Sequence, residues 1–143
     1  MDTPHHVVCP DCQSVNRFTG NRPDPICGSC KAPLYPDHPP QLTDATFDTH
    51  VNRTTLPLVV DFWAPWCGPC QAMAPSFEKA AVEMRPLVRF AKVNSDENPK
   101  VSVRHMIRSI PTVILFRDGK EVARKSGAMD QRALTAWVQT NVA

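Results

Sequence analysis

Six cysteines fall into three Cys-x-x-Cys pairs: Cys9/Cys12, Cys27/Cys30 and Cys67/Cys70. Two thiols at this spacing can close a small disulfide ring or supply half of a metal site. The surrounding sequence decides between these chemistries. Cys67-Gly68-Pro69-Cys70 follows a mostly apolar run, Leu58 to Trp63, and precedes Phe77, Ala80, Ala81 and Met84 at helical spacing. A strand, a sharp turn and a helix place Cys67 at a helix N-terminus. Free amides and the helix dipole stabilise a thiolate there. Cys70 comes one turn later on the same side, within reach of a disulfide. The pattern points to dithiol–disulfide exchange, with Cys67 as the exposed nucleophile and Cys70 as the resolving thiol.

The other two pairs have a different setting. Cys9-Pro10-Asp11-Cys12 and Cys27-Gly28-Ser29-Cys30 are fourteen residues apart, and neither opens an apolar-periodic helix. Two thiolates from each turn can converge on one Zn²⁺, and four sulfurs leave no open position, so the site is expected to be structural. The intervening stretch is long enough for a short hairpin. The competing reading is two further redox-active pairs. His5, His6 and His38 are spare donors, but four cysteines suffice.

These sites need elements to hold them. Residues 1–40 carry eight of the fifteen prolines and few apolar side chains, so they bury little surface without a staple. The expected division is a four-cysteine module over 1–33, a Pro-rich linker over 34–41 and an α/β domain over 42–143. In the last, Thr43 or Asp44 is placed to cap a short helix through Phe47 and Val51. Strands are expected at Leu58–Trp63, Leu87–Asn94 and Thr112–Phe116, and helices at Cys67–Arg85 and Pro99–His105. Asp118-Gly119 reads as a two-residue hairpin turn leading into Glu121–Lys125. A last helix starts near Asp130. Alternating β and α elements with a closing hairpin imply a mixed sheet covered on both faces.

Asp61 interrupts an apolar strand, on the same face as Val59 and Trp63. A carboxylate there is desolvated and its pKa rises, which suits a proton carrier; a hydrogen-bonded core residue is the other possibility. Trp66, beside the nucleophile, suits an exposed binding surface. Lysines and arginines number 16 against 14 acidic residues, and no dense basic run occurs, so a nucleic-acid partner is not expected. No segment is long enough to span a membrane, and the N-terminus lacks a basic-then-apolar leader, so a cytoplasmic location is expected.

From about Leu42 onward the chain resembles the thioredoxin family. The resemblance rests on Trp63 through Cys70, Asp61, Lys92-Val93-Asn94, Asp96 through Pro99, Ile110-Pro111-Thr112, Phe116, Asp118-Gly119 and Gly127-Ala128. It implies the thioredoxin fold, a central mixed sheet flanked by helices, and reduction of protein disulfides. It implies that Asp61 exchanges a proton with Cys70, that Lys92 lies near Asp61, and that Ile110-Pro111 is a cis peptide facing the cysteines. Trp66, Gly68, Pro69, Ile110, Pro111 and Gly127 then line the substrate groove. The implied partners are disulfide-containing proteins and an NADPH-dependent thioredoxin reductase, with the chain acting as a monomer. A small zinc-ribbon-like module ahead of such a domain resembles the bacterial thioredoxin-2 type. An alternative is a redox sensor in which oxidation of the quartet releases zinc. Two departures stand out: prolines 36, 39 and 40 where the family's first strand would lie, and Gln71 where many relatives have lysine.

Overall fold

The computed structural model describes residues 4–19 and 24–143. Residues 1–3 and 20–23, within the expected 1–33 module, lie outside the described residues. The elements are β1 (His5–Val8), β2 (Val15–Phe18), β3 (Gln41–Leu42), α1 (Phe47–Arg53), β4 (Leu58–Trp63) and α2 (Gly68–Met84). After them come β5 (Arg89–Asn94), α3 (Pro99–Arg104), β6 (Thr112–Arg117), β7 (Lys120–Ser126) and α4 (Gln131–Val142).

Five strands form one sheet in the order β3-β5-β4-β6-β7. β3 and β4 run parallel to β5, while β6 is antiparallel to β4 and to β7. Alternation along β4 sorts its side chains onto two faces. Leu58, Val60 and Phe62 pack with Phe47, Val51 and Val101 of α1 and α3. Val59 packs with Met73, Phe77 and Ala80 of α2 and with Leu134 and Val138 of α4. The mixed sheet with helices on both faces is therefore the architecture expected from the sequence. The hairpin turn also forms as expected, with Asp118 (φ 54°) and Gly119 (φ 79°) left-handed as a primed turn requires.

Some details differ from expectation. Three prolines precede it, yet an edge strand does form, as only two residues just past Pro40. The Lys92 amide donates to the Pro40 carbonyl at 2.9 Å, and Gln41 and Leu42 pair with Lys92 and Val93. The residue at the α1 N-cap is Thr46, not Thr43 or Asp44. Asp44 instead reaches α3, accepting from the Val101 amide at 2.9 Å and the Lys100 amide at 3.3 Å. A carboxylate at a helix start satisfies orphan amides whichever segment supplies it. The N-terminal hairpin does not lie between the two cysteine pairs. β1 and β2 flank the first pair, which forms the hairpin's turn.

The N-terminal module packs at the end of the sheet where β4 and β5 begin. Val7, Cys9, Phe18, Cys27 and Leu34 share a core with Leu56. The Thr55 amide donates to the His6 carbonyl at 3.0 Å, and the His6 amide to Thr55 Oγ1 at 2.8 Å. His50 Nε2 donates to Gln13 Oε1 at 2.5 Å. Tyr35, from the Pro-rich stretch, donates its hydroxyl to the Pro86 carbonyl at 2.6 Å. That stretch is thus seated against the domain. The cysteines at Cys67 and Cys70 lie beyond the opposite end of β4, roughly 17 Å along the strand at 3.3 Å per residue.

Candidate functional site: a redox disulfide and a cysteine quartet

β4 ends at Trp63, and the chain turns through Ala64-Pro65-Trp66 into α2. Cys67 is the N-cap of that helix. Its sulfur accepts from the Cys70 amide at 3.2 Å, which is how this helix start satisfies an orphan donor. Pro69 lies in the first helical turn, where its missing N–H costs nothing. Cys67 and Cys70 are joined as a disulfide, with Cα atoms 5.2 Å apart.

The expectation of an exposed Cys67 needs correction, because the residue is only 4% exposed, against 2% for Cys70. Ala64, Trp63 and Ile110 pack around the pair. The Cys67 sulfur lies 3.7 Å from the Ile110 carbonyl oxygen. Ile110-Pro111 is cis, as is Arg85-Pro86. Gly68, Pro69, Trp66 and Gly127 are exposed around the site, while Pro111 is buried. Gly127 adopts φ 97° and donates its amide to the Pro111 carbonyl at 2.8 Å. A left-handed φ of this size favours glycine.

Asp61 is fully buried on the α2 side of the sheet, and neither carboxyl oxygen has a hydrogen-bond partner among the described residues. Burial raises its pKa to about 7, against an opposing pull from the Lys92 ammonium. Lys92 is the register partner of Asp61 on β5. Its ammonium also lies over the Trp63 ring, 4.6 Å from the centroid.

Sequence reasoning missed the supports of this site. The Trp66 indole is 71% exposed, yet its Nε1 donates to Asp96 Oδ2 at 2.7 Å. Asn94 Oδ1 accepts from the amides of Asp96 and Glu97, which shapes the loop that presents Asp96. Gln71, the departure beside Cys70, donates its side-chain amide to the Pro65 carbonyl. Thr112 donates to the Ser109 carbonyl at 2.6 Å and meets Ser126 Oγ at 2.9 Å, tying the loop before Pro111 to the end of β7. The Trp66–Asp96 and Thr112–Ser126 pairings join residues distant in sequence, so nothing local marks them.

In the N-terminal module, the four sulfurs of Cys9, Cys12, Cys27 and Cys30 lie within 4.8 Å of one another. Cys9 and Cys30 approach to 3.6 Å, as do Cys12 and Cys27. A tetrahedron built on a Zn–S bond of about 2.3 Å has edges of about 3.8 Å. Both pairs are built alike. The Asp11 amide points at the Cys9 sulfur and the Ser29 amide at the Cys27 sulfur, at 3.4 and 3.3 Å. After each pair one residue turns left-handed, Gln13 at φ 64° and Lys31 at φ 70°.

The thiols also compete. The Cys30 amide and the Asn16 side chain lower Cys27 to about 6. Cys30 is pushed up to about 12 by desolvation and its three sulfur neighbours, despite a hydrogen bond from the Ala32 amide. Four thiolates this close require a cation among them, so the donor set fits zinc.

The thioredoxin family model matches residues 38–140. The chain is 39% identical over 134 residues to thioredoxin C-3 of Corynebacterium nephridii, covering 92% of each chain. It is 46% identical over 93 residues to thioredoxin 1 of Synechococcus elongatus, covering 65% of this chain and 87% of that one. It is 42% identical over 102 residues to the thioredoxin of Rhodospirillum rubrum, covering 71% and 98%. The chain belongs to the thioredoxin family. Cys67 and Cys70 occupy the family's redox-active position, and the chain is a thioredoxin-type protein-disulfide oxidoreductase. The cysteine quartet lies wholly ahead of the residues that the family model matches, as a module that could hold zinc.

Proposed function

We propose that the chain reduces disulfides of partner proteins with Cys67 as nucleophile, and that an N-terminal zinc site serves structure alone. The observation that carries the reading is the Cys67–Cys70 disulfide at the start of α2, with the Cys67 sulfur beside the Ile110 carbonyl. In the reduced protein, the Cys70 amide and the helix dipole favour a Cys67 thiolate. That thiolate attacks one sulfur of the substrate disulfide. The substrate S–S bond breaks, a mixed disulfide forms, and the departing substrate sulfur takes up a proton. Cys70 then loses its proton to Asp61 and attacks the Cys67 sulfur. The second substrate thiol leaves. Two electrons have passed to the substrate, and Cys67–Cys70 is oxidised again.

Lys92 limits how far the Asp61 pKa rises and so keeps its proton exchangeable near neutral pH. Trp66, Gly68, Pro69, Ile110, Pro111 and Gly127 form the groove, where an extended substrate strand can pair with exposed backbone. Cys9, Cys12, Cys27 and Cys30 would hold the zinc, which orders a module too small to fold on its own core. This arrangement corresponds to the zinc-binding thioredoxin-2 type. The reading includes division at 1–33, 34–41 and 42–143, cytoplasmic location, a monomeric state and reduction by an NADPH-dependent thioredoxin reductase. Among the described residues no helix is long and apolar enough to cross a membrane.

The test is insulin-disulfide reduction by two variants. Cys67→Ser should have no activity, and continued turnover would refute the assignment. Cys70→Ser should accumulate a mixed disulfide, seen as a mass increase without reductant.

A further inference from the structure

Arg89 opens β5 and is 4% exposed, enclosed between the sheet and the N-terminal module. Its Nη1 donates to the Leu34 carbonyl, and its Nη2 to the Val8 carbonyl at 2.9 Å. The guanidinium carbon lies 4.5 Å from the centroid of the Tyr35 ring. Every one of these contacts comes from the module or from the stretch that leaves it. None of them carries a negative charge.

A guanidinium stays protonated in a protein, and a buried charge needs an opposite charge to be tolerated. The ion pairs among the described residues are His38–Glu78, Arg104–Asp48 and Arg124–Glu121, so no carboxylate serves Arg89. Tyr35, His50 and Cys9 are the ionisable groups around it, and Asp37 and Arg85 line the same cavity; Asp37 is exposed and forms no ion pair with it. Tyr35 turns its ring face to the guanidinium and gives its hydroxyl proton to the Pro86 carbonyl, and His50 gives its Nε2 proton to Gln13, so neither supplies a negative charge. Cys9 remains, directly after the Val8 carbonyl that Arg89 grips. Four thiolates around one divalent cation carry a net double negative charge.

We propose that Arg89 is the counter-ion of the metal–thiolate centre, and that the charge of the loaded quartet fastens the module to the thioredoxin domain. This rests on the reading that the quartet binds zinc. Arg89 is then a positioning residue of the metal site supplied by the other domain. Its two hydrogen bonds lock the carbonyls on either side of the quartet, Val8 before Cys9 and Leu34 after Cys30. Partners just outside a metal's ligands commonly govern affinity in this manner. Loss of zinc would leave the guanidinium buried without a partner and favour opening of this interface.

The experiment uses the full reduced chain as wild type, Arg89→Met and Arg89→Lys. Zinc is first counted by elemental analysis, and its affinity is then measured by competition with a chromogenic chelator. Arg89→Met should bind zinc about 10- to 100-fold more weakly, the range typical for partners of this kind. Arg89→Lys should recover most of that loss because it keeps the charge. Melting temperatures are compared with zinc bound and after chelation. Arg89→Met should melt below wild type when zinc is bound, but level with or above it when zinc is removed. A purely structural arginine would lower both melts equally, and that result overturns the proposal.

Unchanged zinc affinity in Arg89→Met would overturn the counter-ion role and leave the zinc reading standing. No zinc in the wild-type chain would overturn both. If Arg89→Met does not fold, Arg89→Lys decides. Affinity within a few-fold of wild type supports the charge, and a loss as large as about 100-fold overturns it.

Discussion

Replacing Asp61 with asparagine should stabilise the protein at neutral pH and do almost nothing at pH 4. Asparagine keeps the shape but cannot ionise. In the folded chain burial moves the Asp61 pKa from the ordinary 3.8 to about 7. Below the ordinary value, folded and unfolded chains both hold the proton, and the carboxyl costs little. As the pH climbs, the unfolded chain ionises freely while the folded chain resists. Stability is therefore lost across a window from about 4 to about 7, with a slope of at most about 1.4 kcal/mol per pH unit. The full loss is about 4 kcal/mol. For a chain of this size, that is of order 10 °C in melting temperature.

The assay is urea denaturation of both oxidised proteins between pH 4 and 8.5, followed by tryptophan fluorescence. The disulfide removes Cys67 and Cys70 from the titration. The quartet titrates identically in both proteins, so it cancels in the difference. So does His50, which burial and the nearby Arg89 hold neutral with a pKa lowered to about 4. His50 acts with opposite sign. Its contribution is lost as the pH falls from about 6.5 towards 4. Wild type alone could thus look nearly flat with pH, and only the difference isolates Asp61. Stability curves that stay parallel from pH 4 to pH 8.5 would refute the argument that an uncompensated buried carboxylate is present.

Three further outcomes are expected. Lys92→Met removes the charge that opposes the upward shift of Asp61, so the carboxyl should ionise above pH 7, as read by carbon NMR; an unmoved titration would show that Lys92 does not act on Asp61. Trp66→Phe deletes the bond to Asp96 at an exposed position. The Michaelis constant for a protein disulfide should rise several-fold while stability changes by less than about 0.5 kcal/mol, and an unchanged constant would remove Trp66 from the groove. Asp44→Ala strips two amide bonds from the start of α3 and should cost about 1–2 kcal/mol in denaturant unfolding, although Asp44 is far from α3 in sequence.

What was legible in the sequence followed from local chemistry. Leu58 to Trp63 alternates against two cores, so both the strand and the facing of Asp61 could be read from period two. Cys67 and Asp130 cap helices with their own side chains, and both helix starts were anticipated to within a residue. The turn at Asp118-Gly119 needed left-handed residues, and its composition announced them. What could not be read depends on partners distant in sequence. Arg89 looks like an ordinary charged strand start, and its partners lie 55 and 81 residues away. Asp44 looked like a cap for the nearest helix, but the helix it caps begins more than fifty residues later. Gln13 and Lys31 turn left-handed without glycine, because the knuckle geometry that aims amides at sulfur outweighs the local preference.

β5 joins the two cysteine sites, and its alternation keeps them apart. Arg89, Ala91 and Val93 face the α1 side, whereas Phe90, Lys92 and Asn94 face the α2 side. At its start the strand gives Arg89 to the module. Near its end it gives Lys92 to Asp61 and Asn94 to the loop that holds Asp96 under Trp66. Neighbours on a strand point to opposite faces, so these contacts enter different cores. A close-packed sheet transmits a shift only where one side chain pushes another. None of the contacts of Arg89 touches Cys67, Cys70 or Asp61. The physical expectation is that zinc at one end of the sheet adds stability and a fixed module, while thiol chemistry at the other end is set by α2, Asp61 and the Ile110-Pro111 loop.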